Sequence, residues 1–306
     1  MSIELSIVVC TYNREELLRL SLQSLVEQTL DKERYEVIVV DNNSTPAARE
    51  IALRFVEAEP NFRLVREERQ GLSHARNRGW REACGRYVAF LDDDAKASPD
   101  WCGGVLQAFS AVAPPPAAVG GEIRPYYDAT PPDWFTDDFE IRTWGDGPAL
   151  LTEPRAKYGF SGSNMAFPKA ILEEFAGFSP ELGMRGEATA LGEETDLFSR
   201  VYRKYPRFWY DPRLLVYHWT SQQSMTVSYR LYRAFKGGES LALMRNRRLL
   251  TLDYLLTLAA ALCFLAASPL IIICAGKRAR TAAVRRGEEL AGRVGYLFGS
   301  PPAGNH

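Results

Sequence analysis

Short apolar runs and amphipathic stretches alternate through the first hundred residues. Leu5–Cys10 and Tyr35–Val40 are compact and rich in β-branched residues, as expected of strands buried on both faces. Between them Leu18, Leu22, Leu25 and Val26 recur at helical spacing over Glu15–Gln28. A second helix is expected from Pro46 to about Ala58, with Ser44 or Thr45 as its cap and the proline in its first turn. Phe62–Val65 predicts a short third strand, and residues 71–79 lead through a helix into a fourth strand starting at Tyr87. This alternation predicts an α/β fold: a doubly wound, mostly parallel sheet with helices on both faces.

The expected strands end in polar clusters: Thr11, Tyr12 and Asn13; Asp41, Asn42 and Asn43; then Asp92, Asp93 and Asp94. Ligands of such sheets bind beyond the carboxyl ends of the strands. Three adjacent carboxylates are costly unless a cation neutralises them, and oxygen ligands suit Mg²⁺ or Mn²⁺. A solvated acidic turn capping a helix that begins at Ser98–Asp100 would explain the same residues. Neither GxGxxG nor GxxxxGK[ST] follows the first strand, so a bound nucleotide must be held by side chains and a metal.

Composition narrows this picture only slightly. The chain has 306 residues, 46% apolar and 25% charged, as in a globular protein, and its net charge of -1 gives no reason to expect a nucleic-acid partner. Five cysteines without CxxC spacing read as reduced thiols in a cytoplasmic setting, and no signal-peptide pattern opens the chain.

In the second half, a Pro/Ala loop at 111–116 marks a boundary and Ala118–Arg124 predicts a strand. Residues 125–154 form a long irregular segment whose aromatics, Tyr126, Tyr127, Trp134, Phe135 and Trp144, argue against disorder. Leu197, Val201 and Tyr205 share a helical face, which puts Glu193–Asp196 in that helix's first turn, where the dipole favours acids. Tyr210–Trp219 reads as a turn and strand containing His218. Residues 254–276 carry no charge, a run long enough to reach across a bilayer. Basic residues flank the run on both sides, which disfavours a single span. Pro269 suits a kinked, re-entrant or in-plane arrangement, and a buried helix pair is the other reading.

Val8–Arg14, Val39–Ser44, Ala75–Gly79 and Phe90–Asp94, in this order and spacing, resemble the family 2 glycosyltransferases. The resemblance implies a GT-A fold, a nucleotide-diphosphate sugar donor, a Mg²⁺ or Mn²⁺ cofactor, a glycan or lipid-linked acceptor, and usually inversion at the anomeric carbon. It places Thr11, Tyr12 and Arg14 around the nucleoside, Asp41 on the base, and Arg76 near the base or diphosphate. Read from its helix alone, Arg76 could equally be a solvated residue paired with Glu82 or a neighbour. Asp92 and Asp94 take the outer positions of the family's Asp-x-Asp signature, Asp94 as a direct metal ligand and Asp92 on the ribose or on a bridging water at the metal. Asp93 is the middle member. Ser163 and Asn164, in a segment resembling Gly-x-Asn, would lie beneath the donor sugar. Gly192–Leu197 resembles Gly-Glu-Asp-x-(Asp/Glu)-Leu, whose third position is the catalytic base; here it is Glu194 in place of aspartate, with Asp196 as the alternative. His218 matches a histidine that can reach the metal.

The implied organisation is a GT-A domain over 1–225, with a donor half (1–113) and an acceptor half (114–225). A helical region over 226–306 follows, with 254–276 associated with the membrane. The expected protein is a membrane-associated glycosyltransferase facing the cytoplasm, making a cell-surface polysaccharide or glycolipid. One alternative is a sugar-phosphate nucleotidyltransferase, although Thr11–Arg14 lacks the glycine- and arginine-rich loop of such enzymes. The other is a catalytically degenerate nucleotide-sugar-binding protein.

Overall fold

The computed structural model describes residues 2–152, 159–182, 192–245, 259 and 276–298. Four strands form its parallel half: β1 (Leu5–Thr11), β2 (Tyr35–Asp41), β3 (Phe62–Arg66) and β4 (Tyr87–Asp92). β1 lies between β2 and β4, and β3 pairs with β2, all parallel. Helices α1 (Glu15–Val26), α2 (Pro46–Ala58) and α3 (Leu72–Glu82) make the crossovers. Thr45 caps α2 as expected, its Oγ1 accepting from the Ala48 N–H with Pro46 in the first turn.

Side chains alternate between two cores. Leu5, Ile7, Val9, Val37, Val39, Ala89 and Leu91 pack with Leu18, Leu22 and Leu25 on one face. Val8, Ile38, Val40, Val88 and Phe90 pack with Ala75 and Trp80 on the other. Both faces being covered explains why these strands read as continuous apolar runs.

Beyond β4 the sheet departs from the parallel expectation. The full order is β3-β2-β1-β4-β8-β6-β9-β5, with β7 added to β9. The new members are β5 (Ala95–Ala97), β6 (Ala118–Tyr127), β7 (Ala149–Leu151), β8 (Met165–Pro168) and β9 (Phe208–Thr220). β8 is antiparallel to β4 and to β6, while β5 and β7 are antiparallel to β9. β8, inserted between β4 and β6 and antiparallel to both, makes the sheet mixed, not doubly wound throughout. Helices α4 (Trp101–Phe109), α5 (Lys169–Glu174) and α6 (Glu193–Lys204) complete this part.

Among the described residues, 2–126, 140–182 and 193–219 form one compact unit, and 127–139, 220–245 and 276–298 belong to a second. In the second unit α7 (Val227–Arg245) packs on α8 (Lys277–Phe298), where the Phe235 carbonyl fills the space a Cβ on Gly295 would need. Phe135 and Phe139, from the irregular segment, are buried there with Met225 and Val284, so these aromatics serve a core. Of the uncharged run 254–276, only residues 259 and 276 are described, and the expectation placed on that run lies outside the described residues. Among those residues, no helix is long and apolar enough to cross a membrane.

Candidate active site

Asp92 ends β4, Asp93 and Asp94 make the turn, and β5 begins at once. β5 pairs with β9 so that Ala95 lies opposite His218, and the Trp219 N–H donates to the Asp94 carbonyl at 2.9 Å. This short ladder carries His218 to the acidic turn. Its Nε2 lies 3.2 Å from Asp94 Oδ1 and 3.9 Å from Asp92 Oδ2. Its Nδ1 is 3.0 Å from the Trp219 carbonyl, which can only accept, so Nδ1 carries a proton and Nε2 turns toward the carboxylates. Asp94 Oδ1 is buried and accepts no hydrogen bond among the described residues. One atom each from Asp92, Asp94 and His218 falls within a 4.8 Å cluster. Two carboxylates and an imidazole, with an oxygen left unsatisfied among them, fit a divalent ion, Mn²⁺ tolerating the nitrogen better than Mg²⁺. The turn caps no helix, since strand β5 follows it.

Two arginines clamp the far oxygens of the same carboxylates. Arg14 Nη1 lies 3.0 Å from Asp94 Oδ2, its Nε lies 4.0 Å from Asp93, and its guanidinium sits over the Trp219 ring. Arg14 therefore meets the acidic turn. Burial and the neighbouring Asp94 charge push the Asp93 carboxyl above its ordinary range, with Arg14 opposing them.

Arg76 is 2% exposed, which rules out the solvated-helix reading; Glu82 pairs instead with Arg78 and Arg63. Arg76 donates from Nη2 to Asp92 Oδ1 at 3.1 Å and from Nη1 to Glu193 at 2.9 Å and Glu194 at 3.2 Å. Burial alone would make this arginine easier to deprotonate, but Glu194, Asp92 and Glu193 hold it charged. The Glu194 side chain keeps 26% exposure. Burial, then the charge of Glu193, pushes its carboxyl up to about 7 against the pull of Arg76.

Two contributors escaped the sequence reading. Glu193 sits where the helix dipole alone would account for an acid, yet it is buried against Arg76. Gly162 lay inside a recognised polar segment, but its significance is spatial: a Cβ there would overlap Arg76 Nη2 and Glu194 Oε1. Asp196, the alternative base, turns away and accepts from Arg200 Nε at 2.9 Å.

At the ends of β1 and β2, Thr11 is buried, and its carbonyl accepts from the Asn42 N–H. Tyr12 is 40% exposed. Asp41 is 1% exposed and already engaged, by the Ser44 N–H at 2.7 Å and by Arg49 Nη2 at 2.6 Å. Ser163 is closed to solvent, its Oγ without a hydrogen-bond partner among the described residues. Asn164 corrects the expectation of a sugar contact. Its Oδ1 accepts from Trp101 Nε1 at 3.0 Å, and its Nδ2 donates to the carbonyls of Glu122 at 3.0 Å and Leu214 at 2.7 Å. Buried and fully committed, it ties β6, β9 and α4 together.

A family model described as glycosyl transferase family 2 matches residues 6–175. The chain belongs to glycosyltransferase family 2. This glycosyltransferase is 28% identical over 250 residues to the glucosyl-dolichyl phosphate glucuronosyltransferase of Haloferax volcanii, covering 79% of this chain and 77% of that protein. It is 28% identical over 244 residues to the succinoglycan biosynthesis protein ExoM of Rhizobium meliloti, covering 78% and 74%. Among solved structures it resembles the Pyrobaculum calidifontis mannosyltransferase PcManGT in complex with GDP-Man and Mn²⁺. That match has a TM-score of 0.65 at 19% identity, covering 97% of this chain and 88% of that one. Staphylococcus aureus TarS in complex with UDP-GlcNAc matches with a TM-score of 0.56 at 17% identity, covering 96% and 90%. The fold is therefore the GT-A fold, with a mixed sheet.

Proposed function

We propose that this glycosyltransferase moves a sugar from a nucleotide-diphosphate donor to a hydroxyl of a glycan or lipid-linked acceptor, in a single inverting displacement. The observation that carries the reading is Arg76, which joins Asp92 at the metal-type cluster to Glu194 through one guanidinium. A leaving diphosphate and a proton acceptor would thus lie within one side chain's reach, on either side of the reacting carbon. The donors held by the two structural neighbours and the acceptor named for the Haloferax relative support these substrate classes.

Asp92, Asp94 and His218 would hold Mg²⁺ or Mn²⁺, whose charge stabilises a departing diphosphate. Arg14 and Arg76 steady the ligand carboxylates by holding their outer oxygens. Glu194 takes the acceptor proton as the new bond forms, and its raised pKa makes it the stronger base. Thr11, Tyr12 and Asp41 stand at the strand ends beside the switch between β1 and β4, where the nucleoside would lie. A catalytically degenerate binder has no use for a basic carboxylate facing the cluster. The same reading keeps the protein membrane-associated, on the strength of the uncharged 254–276 run, which membrane fractionation tests. It keeps the catalytic unit cytoplasmic, on the strength of cysteines without disulfide spacing.

Calorimetric titration with UDP, GDP and dTDP, each with and without Mn²⁺, is the direct test. Metal-dependent binding of one nucleotide, lost in Asp94→Ala, is expected. Folded protein that binds none of the three refutes the donor site.

A further inference from the structure

Arg76 offers Nη1 to two carboxylates at once, and they are not equivalent. Glu193 is enclosed and takes the shorter contact at 2.9 Å, while Glu194 stands at 3.2 Å with part of its side chain open to solvent. Asp92 engages Nη2. The charge is shared among three acids, and Glu194 receives only a single hydrogen from it, short of the two-point fork that makes arginine–carboxylate pairs tight.

We propose that Glu193 is a positioning residue of the transfer reaction: it holds Arg76 in place and keeps Glu194 from becoming that arginine's full partner, so that a Glu194 oxygen stays free to take a proton. The inference rests on Glu194 being the base. A buried guanidinium must be paired, and breaking one pair leaves a charge that seeks another. Without Glu193, the nearest candidate for the freed Nη1 hydrogen is Glu194. Arg76 has little room to swing elsewhere, because the backbone at Gly162 abuts both Arg76 Nη2 and Glu194 Oε1. The charged groups facing Glu194 are Glu193 on its own helix, Arg76 on α3 and Asp92 on β4. Removing one negative member leaves Arg76 with fewer competitors, so Glu194 holds its charge more readily and becomes a weaker base.

In the step itself, the acceptor oxygen bonds to the anomeric carbon and its proton passes to Glu194. The bond from that carbon to the donor phosphate oxygen breaks, with its electron pair leaving on the diphosphate. Glu193 exchanges no proton; it acts through Arg76 alone.

The test uses the full chain with Mn²⁺ and measures nucleotide release from UDP-glucose, UDP-GlcNAc, UDP-glucuronate and GDP-mannose, with water as acceptor. Wild type is compared with Glu193→Gln, Glu194→Gln and the double variant. Glu193→Gln should lower kcat about tenfold, leave KM for the donor within about twofold, and move the acid limb of the pH profile to lower pH. The double variant should be no slower than Glu194→Gln alone, because both losses pass through one group. Glu193→Asp keeps the charge and should keep the wild-type acid limb; it also serves if the glutamine variant does not fold. Losses that multiply in the double variant, or an acid limb that moves in Glu193→Asp, would overturn the role of Glu193 while leaving the base in place. An unimpaired Glu194→Gln, or no release from any donor, would instead remove the base reading and this inference with it.

Discussion

Replacing Glu194 by glutamine removes the proton acceptor while keeping a group that can accept from Arg76. Turnover should fall by about 10²–10⁴-fold with nucleotide binding unchanged, as single-turnover kinetics and calorimetry would read. The pH dependence has a definite sign. Burial and Glu193 raise this carboxyl to about 7, and a base works only when unprotonated. Activity should therefore rise with pH through about 7 and then level, so a rate flat across that interval counts against Glu194. Asn164 shows where motif reading stops at this scale. Its place in a polar segment was legible, but its three partners lie on Trp101, Glu122 and Leu214, far apart in the chain. Asn164→Ala should cost about 2–4 kcal/mol in urea unfolding, because the partners are left buried and unsatisfied.

At the level of elements, β1 to β4 and α1 to α3 were legible because each strand is long enough to alternate between two cores. The cap of α2 was legible because its chemistry is local. β5, β7 and β8 are three or four residues long, too short to show a period. Their direction depends on which distant strand they meet, and no nearby residue records that. The same holds for Arg76, whose helix is local but whose acids come from β4 and α6. In the second unit, Gly295→Val would drive a side chain into the Phe235 carbonyl on α7. A loss of about 1–3 kcal/mol is expected, visible as a lower midpoint of helical circular dichroism. An unchanged midpoint would mean that the two helices separate without cost.

For the whole molecule, the metal-type cluster gives the clearest expectation. His218→Ala removes the only nitrogen of the Asp92–Asp94–His218 group, and Mn²⁺ affinity should drop at least about tenfold by direct titration. Equal affinity in the variant would take His218 out of the site. Chelation should lower the thermal midpoint of the Mn²⁺-loaded protein, and by more when nucleotide is also bound, since an ion that binds only the folded chain stabilises it.

The pairing of Arg76 with Glu193 joins residues 117 positions apart, and His218 reaches Asp94 from later still. A chain emerging from the ribosome displays β1 to β4, with Arg76 and the three aspartates, well before α6 and β9 exist to meet them. Contacts of such separation form late, and domains tend to complete as units. The acids that would hold the metal and take the acceptor's proton thus stay apart in water until the last strand of the sheet is threaded. An interrupted translation product would carry every donor-side motif and consume no sugar nucleotide.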